Sequence, residues 1–192
     1  MATRPANFLT PEEYLELERK AEVKSEYFQG EMFAMAGASR RHGLIVTNLV
    51  RELSQRLKAK PCEVYSSDMR LRISQTGLYT YPDVVVACGE LQFADNQKDT
   101  LLNPIVIIEV LSDSTRDYDR SEKFQQYRSL SSLREYITIA QDKCHVEQYT
   151  RQPENRWLLE ETQDQSAVIR LASIDCEIPL AEAYDKVDWA AA

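Results

Sequence analysis

The sequence predicts a three-layer α/β domain, and three observations carry that prediction. Two runs, Tyr81 to Cys88 and Ile105 to Leu111, are apolar on both faces, as expected of central strands covered on each side. From Arg41 to Lys58, Ile45, Leu49, Leu53 and Leu57 recur every four positions, and Val46 and Val50 widen the stripe, so a helix lays one apolar face on a sheet. Beyond Leu111 the pattern continues as helix and then strands, the order of a mixed sheet.

The other elements follow in chain order. Thr10-Pro11-Glu12-Glu13 reads as a helix start, with Thr10 as cap, Pro11 at the first helical position and Glu13 closing a capping box, and the helix should run to about Lys20. Glu26 to Phe33 reads as two short strands around a turn at Gly30. Strands are expected at Cys62 to Ser66 and through the alternation Met69, Leu71, Ile73. After the turn Ser112-Asp113-Ser114-Thr115, a helix is expected from about Arg116 to Arg128, then strands near Tyr136–Ile139 and His145–Tyr149. Trp157–Leu159, Val168–Leu171 and a short helix near Leu180 to Tyr184 form an antiparallel C-terminal extension and cap. The 192 residues, 43% of them hydrophobic, suffice for one sizeable core, and with 5 Gly and 7 Pro no linker stands out, so a single domain over 1–192 is expected.

Composition narrows the function. No stretch resembles a signal peptide, and no run approaches the roughly 18 apolar residues that span a bilayer, so a cytoplasmic protein without membrane contact is expected. Cys62, Cys88, Cys144 and Cys176 lie far apart in apolar or strand-like settings and read as buried free thiols. With His42 and His145 as the histidines and no Cys-x-x-Cys pair, zinc signatures cannot be assembled, so any metal is held mainly by carboxylates, which points to magnesium or manganese. A net charge of -8 argues against coating nucleic acid with a broad positive surface. A local patch from Arg40, Arg41, Arg70, Arg72, Arg116 and Arg120, helped by a divalent ion, could still bind it weakly.

Glu109 is the most informative residue. An ionised carboxylate inside the run from Ile105 to Leu111 costs several kcal/mol, on the order of a buried unpaired charge, unless it is paired or metal-bound. A strand-end position or an arginine partner would also account for it. Asp83, a second acid entering another buried strand after Pro82, would share an oxygen-rich site with Glu109, although Pro-Asp alone is an ordinary turn pair.

The order Tyr81-Pro82-Asp83-Val84-Val85-Val86, then Val106-Ile107-Ile108-Glu109-Val110-Leu111-Ser112-Asp113-Ser114-Thr115, then Asp119-Arg120-x-x-Lys123 and Tyr127, resembles the Uma-two family of bacterial endonuclease-like proteins. That family belongs to the PD-(D/E)xK nuclease superfamily. The similarity includes Glu26-Tyr27-x-x-Gly30-Glu31, His42 and Glu135-Tyr136, and so spans about Pro11 to Tyr149. It implies a restriction-endonuclease-like three-layer sandwich and a metal-dependent phosphodiester hydrolase acting on DNA, with Asp83 and Glu109 holding magnesium or manganese and a lysine assisting the attack of water.

The superfamily's lysine lies two residues after the glutamate, and here that position is Leu111. Lys123 is the candidate replacement. About five extended residues carry the chain roughly 16 Å away and about eight helical residues return roughly 12 Å, which brings Lys123 back towards Glu109. Glu26 resembles an additional acid that would complete the metal shell, with a salt bridge to Lys24 or an arginine as the competing account. His42 would touch phosphate or orient water, or serve as a helix-end residue. Asp119 and Tyr127 match the family's helix pattern and would position Lys123 or pack. The missing lysine and the acidic charge leave one alternative, a catalytically inactive nuclease-like fold acting as a protein-binding or regulatory module. Trp157 and the apolar segments after Tyr149 could supply a symmetric homodimer contact.

Overall fold

The computed structural model describes residues 8–112 and 119–189, with Asp119 and Arg120 as backbone alone. Asp113, Ser114, Thr115 and Arg116, expected as a turn and a helix start, lie outside the described residues.

Helix α1 (Pro11–Glu18) starts as its residues dictate: the Thr10 side chain accepts from the Glu13 amide at 3.2 Å, and Glu13 Oε2 accepts from the Thr10 amide at 2.7 Å. Strands β1 (Ser25–Phe28) and β2 (Glu31–Ala34) form a hairpin whose two turn residues, Gln29 and Gly30, both have positive φ, the mirror-image turn that matches strand twist. Helix α2 (Arg40–Arg56) is capped by Ser39 and buries Ile45, Leu49 and Leu53. Strands β3 (Cys62–Ser66), β4 (Arg70–Ile73), β5 (Leu78–Thr80), β6 (Val84–Cys88), β7 (Thr100–Leu101) and β8 (Val106–Leu111) follow. The expected helix before Arg128 is a π-helical turn at Asp119–Lys123 running into the short α3 (Phe124–Tyr127). Then come β9 (Glu135–Ala140), β10 (Val146–Arg151), β11 (Trp157–Thr162), β12 (Val168–Leu171), β13 (Cys176–Pro179) and α4 (Leu180–Ala183).

The central sheet has six strands in the order β11-β10-β9-β8-β6-β3, with β8 and β9 parallel and the other pairs antiparallel. The two apolar runs lie side by side in it, as their two-faced burial requires. Val84, Val86, Val106, Ile108, Ile137 and Ile139 point to one face, where α2, the β12–β13 hairpin and α4 cover them. Val85, Ala87, Ile107 and Tyr136 point to the other, against Leu71, Ile73, Leu78, Leu101 and Tyr127. That second cover is largely a five-stranded sheet, β2-β1-β5-β4-β7, with α3 beside it, where a helix alone had been expected. The α/β class with a mixed central sheet and an antiparallel C-terminal extension is as the sequence implies.

The expectation of four free thiols is overturned as well. Cys62 and Cys88 are joined by a disulfide, because the antiparallel register of β3 and β6 sets them opposite each other. Cys144 and Cys176 are free thiols. Among the described residues no helix is long and apolar enough to cross a membrane. Trp157 packs edge-on against Phe124 and beneath the Arg151 guanidinium, so its ring serves this chain's own core, while Leu158 and Leu159 stay exposed.

Candidate active site

The sheet register builds the site. Val84 faces Ile108 across β6 and β8, so the next position sets Asp83 opposite Glu109. The two are tied reciprocally: Asp83 N–H donates to Glu109 Oε2 at 3.2 Å, and Val110 N–H donates to Asp83 Oδ2 at 2.8 Å. In the second sheet Tyr27 faces Tyr79, so Glu26 falls opposite Thr80, whose hydroxyl donates to Glu26 Oε1.

Lys123 closes the group. Its Nζ lies 3.2 Å from Glu109 Oε1 and 3.2 Å from Glu26 Oε1, and its side chain is 8% exposed. The chain leaves β8 and comes back through the π-helical turn, so the ammonium absent at Leu111 arrives from the next element; Leu111 itself is buried apolar packing. Tyr127, one helical turn further on, donates its hydroxyl to Glu109 Oε1 at 2.7 Å. Burial first, and then the charges of Glu109 and Glu26, push that phenol well above its ordinary pKa, so it stays a donor. His42 lies in the first turn of α2, and its Nε2 is 3.1 Å from Asp83 Oδ2, an arrangement that calls for the proton on Nε2 because a carboxylate can only accept.

Glu26, Asp83, Glu109, Lys123 and His42 line one open cleft of about 930 Å³. The stretch from Phe33 to Ser39, from the end of β2 to the cap of α2, also lines it. The donor set suits a hard divalent cation: Glu26 and Glu109 share one ammonium, Asp83 adjoins Glu109 at the entry to β6, and together they offer carboxylate oxygens at the cleft wall.

The sequence-based site residues therefore come together, with two qualifications. The side chain of Asp119 lies outside the described residues. The supposed arginine patch does not form at Arg70, which is buried, paired with Asp99 at 2.9 Å and hydrogen-bonded to Tyr81 and Thr100, nor at Arg72, which lies over the Tyr79 ring. Arg41 donates to the Asp188 carbonyl, Arg40 is exposed, and the side chains of Arg116 and Arg120 are outside the described residues. Sequence reasoning also missed Thr80, the partner of Glu26, whose one signal is a threonine in a three-residue strand. Glu26 pairs with Lys123, whereas Lys24 pairs with Asp68.

Residues 11–181 match the model of Uma2, described as "Putative restriction endonuclease". Among curated proteins, the uncharacterized protein sll1609 of Synechocystis sp. is 39% identical over 172 residues, covering 90% of this chain and 97% of its own. The uncharacterized protein slr1290 of the same organism is 35% identical over 151 residues, covering 79% and 78%. Among solved structures, a crystal structure from Anabaena variabilis described as "a putative nuclease belonging to DUF820" superposes with a TM-score of 0.73 at 18% identity, covering 92% of this chain and 97% of its own. At that identity the likeness speaks for the fold.

Proposed function

The chain belongs to the Uma2 family, and from that membership we propose that it is a metal-dependent endonuclease that hydrolyses phosphodiester bonds of DNA. The observation that carries the reading is Lys123 Nζ standing 3.2 Å from both Glu109 and Glu26 at the wall of an open cleft, beside Asp83. Asp83 and Glu109 would hold a magnesium or manganese ion, with Glu26 completing its shell. Bound there, the ion supplies Lewis acidity and a water activated at neutral pH.

The chain's own groups do the rest. Lys123 stabilises negative charge growing on a phosphate oxygen, and its two carboxylate partners fix where the ammonium stands. Tyr127 orients Glu109 through the bond to Oε1, leaving Oε2 against the Asp83 amide. His42 holds a proton on Nε2 towards Asp83 Oδ2 and so fixes the carboxylate's orientation. Because net charge is -8 and Arg70 is committed to the core, DNA binding is weak and depends on the metal.

A second reading rests on the same contacts. Lys123 bridges Glu26 and Glu109 as an internal counter-ion, as it would in an inactive fold kept for protein binding. Incubating supercoiled and linear DNA with purified protein and manganese separates the two, with Asp83→Ala prepared identically. The endonuclease reading requires cleavage by the native chain and none by the variant. No cleavage, together with a thermal midpoint unmoved by magnesium, would leave the binding module, since a ligand that prefers the folded state must raise the midpoint.

A further inference from the structure

We propose a second cation site, separate from the cleft, built by His145, Glu147 and Glu161 and taking a zinc-like divalent ion that clips the edge strand β11 to β10. The antiparallel register of β10 and β11 sets Glu147 directly opposite Glu161. Two carboxylates so placed on one face of a sheet repel each other. His145 precedes Glu147 by two residues and shares its face. Its Nε2 lies 2.7 Å from Glu161 Oε1, while Glu147 Oε2 accepts from Thr138 Oγ1 at 3.2 Å and Tyr149 OH at 3.3 Å.

The donor atoms of the three residues all lie within 4.8 Å of one another. Around a tetrahedral zinc ion with bonds of about 2.0–2.2 Å, neighbouring ligand atoms stand roughly 3.3–3.6 Å apart. The His145–Glu161 contact of 2.7 Å would open and the wider spacings close by on the order of an ångström, a movement that rotation of the half-exposed Glu161 side chain supplies. The imidazole forms its base, with 9% of the side chain exposed, and Glu161, 49% exposed, forms its mouth. A Tyr184 hydroxyl accepts the His145 backbone N–H at 3.2 Å and anchors the histidine from the other side.

Register also shows that the ion would not be shared with the cleft. Glu109 faces Thr138 across β8 and β9, and Thr138 faces Glu147 across β9 and β10, so Asp83, Glu109, Thr138, Glu147 and Glu161 form one row across the central sheet. Glu147 stands two strands from Glu109, about 10 Å at the usual strand spacing. The two sites differ in chemistry as well as place. The cleft offers carboxylate oxygens, suited to magnesium, whereas an imidazole with two carboxylates favours zinc.

Zinc(II) itself is the probe. With excess magnesium present to occupy the cleft, the full chain should bind one zinc equivalent by calorimetry, and its thermal midpoint should rise. Asp83→Asn should keep both responses. His145→Gln and Glu161→Gln should each weaken zinc binding by at least about tenfold. Glu161 is half-exposed, so its variant remains informative even if His145→Gln fails to fold. Undiminished zinc affinity in Glu161→Gln, or loss of zinc binding confined to Asp83→Asn, would overturn the proposal. The outcome does not depend on whether the protein cleaves DNA.

Discussion

Two ionic networks meet near Tyr81, which accepts from Arg70 in the first and lines the cleft that holds the second, and they are built differently. In the first, Arg70 reaches Asp99 at 2.9 Å, Tyr81 OH at 3.1 Å and Thr100 at 3.0 Å, while Arg19 reaches Asp99 and Asp95 at 2.7 Å each. Two guanidiniums, each a fork of fixed donors, lock α1 and the β7 strand to β4. In the second, one ammonium serves Glu26 and Glu109, with Asp83 adjoining and the cleft open above them. Among the described residues, two guanidiniums face Asp99 and Asp95, whereas one lysine faces Glu26 and Glu109 beside Asp83 at an opening, which is the arrangement that the proposed metal site uses.

Lys123→Met tests that contrast most strongly, because it removes the charge and keeps the stem. DNA cleavage should fall by about a hundredfold or more, as on loss of a positioned charge-stabilising donor. Breaking a buried pair by removing one partner should also cost about 3–5 kcal/mol in the metal-free protein. Single-turnover cleavage and urea denaturation of the same preparation would measure both. A native rate in this variant would reduce Lys123 to a structural counter-ion.

Arg70→Met should show the opposite balance. Its loss strips charge-assisted hydrogen bonds from Asp99, Tyr81 and Thr100, and a cost of about 1.5–3 kcal/mol is expected. Asp99 keeps Arg19 and partial exposure, which holds the cost below that of Lys123. Cleavage per folded molecule should not change. A rate that collapsed at fixed folded fraction would place Arg70 in the substrate path and erase the distinction.

A smaller effect is expected from Tyr127→Phe, which removes the hydroxyl that orients Glu109 and leaves Lys123 in place. Stability should fall by about 1–2 kcal/mol. If Tyr127 positions a metal-binding carboxylate, magnesium affinity should weaken in parallel with the rate. Calorimetry that shows native magnesium affinity would make it a packing residue.

The sequence made the second network legible in an uneven way. Glu109 announces itself because nothing else in its strand is polar, and Asp83 because it enters the neighbouring apolar strand. Lys123 was legible through the family resemblance, since a lysine on a helix otherwise looks solvated. Arg70 gave no sign that it was committed to the core, nor Arg72 that it lay over a tyrosine ring, because the strands that receive them are too short to carry a pattern: β5 has three residues and β7 two. The sheet covering the second face was missed for the same reason. The Cys62–Cys88 bond was hidden by its sequence separation of 26 and becomes visible once β3 and β6 are known to be antiparallel neighbours. His145, Glu147 and Glu161 likewise become a group through register alone.

The smallest expected effect concerns the rim of the arginine network. The hydrogen bond from Arg19, opposed by some burial and aided by Arg70, holds the Asp99 carboxyl well below its ordinary value of 3.8. A depressed folded value means that the folded state binds fewer protons than the unfolded chain in that range. The resulting stabilisation is fully present above the ordinary value and is lost as pH falls through the folded one. Arg19 is partly exposed, so Arg19→Gln should cost no more than about 1 kcal/mol at neutral pH. The gap between the two proteins should then start to narrow as pH drops below 4, because the unfolded chain takes up protons there while the native Asp99 and Asp95, held by Arg19, do not. Thermal midpoints of both proteins between pH 7 and pH 3 would show this. A gap that stayed constant across that range would mean Arg19 acts by packing its stem, and the rim would no longer belong to the ionic network.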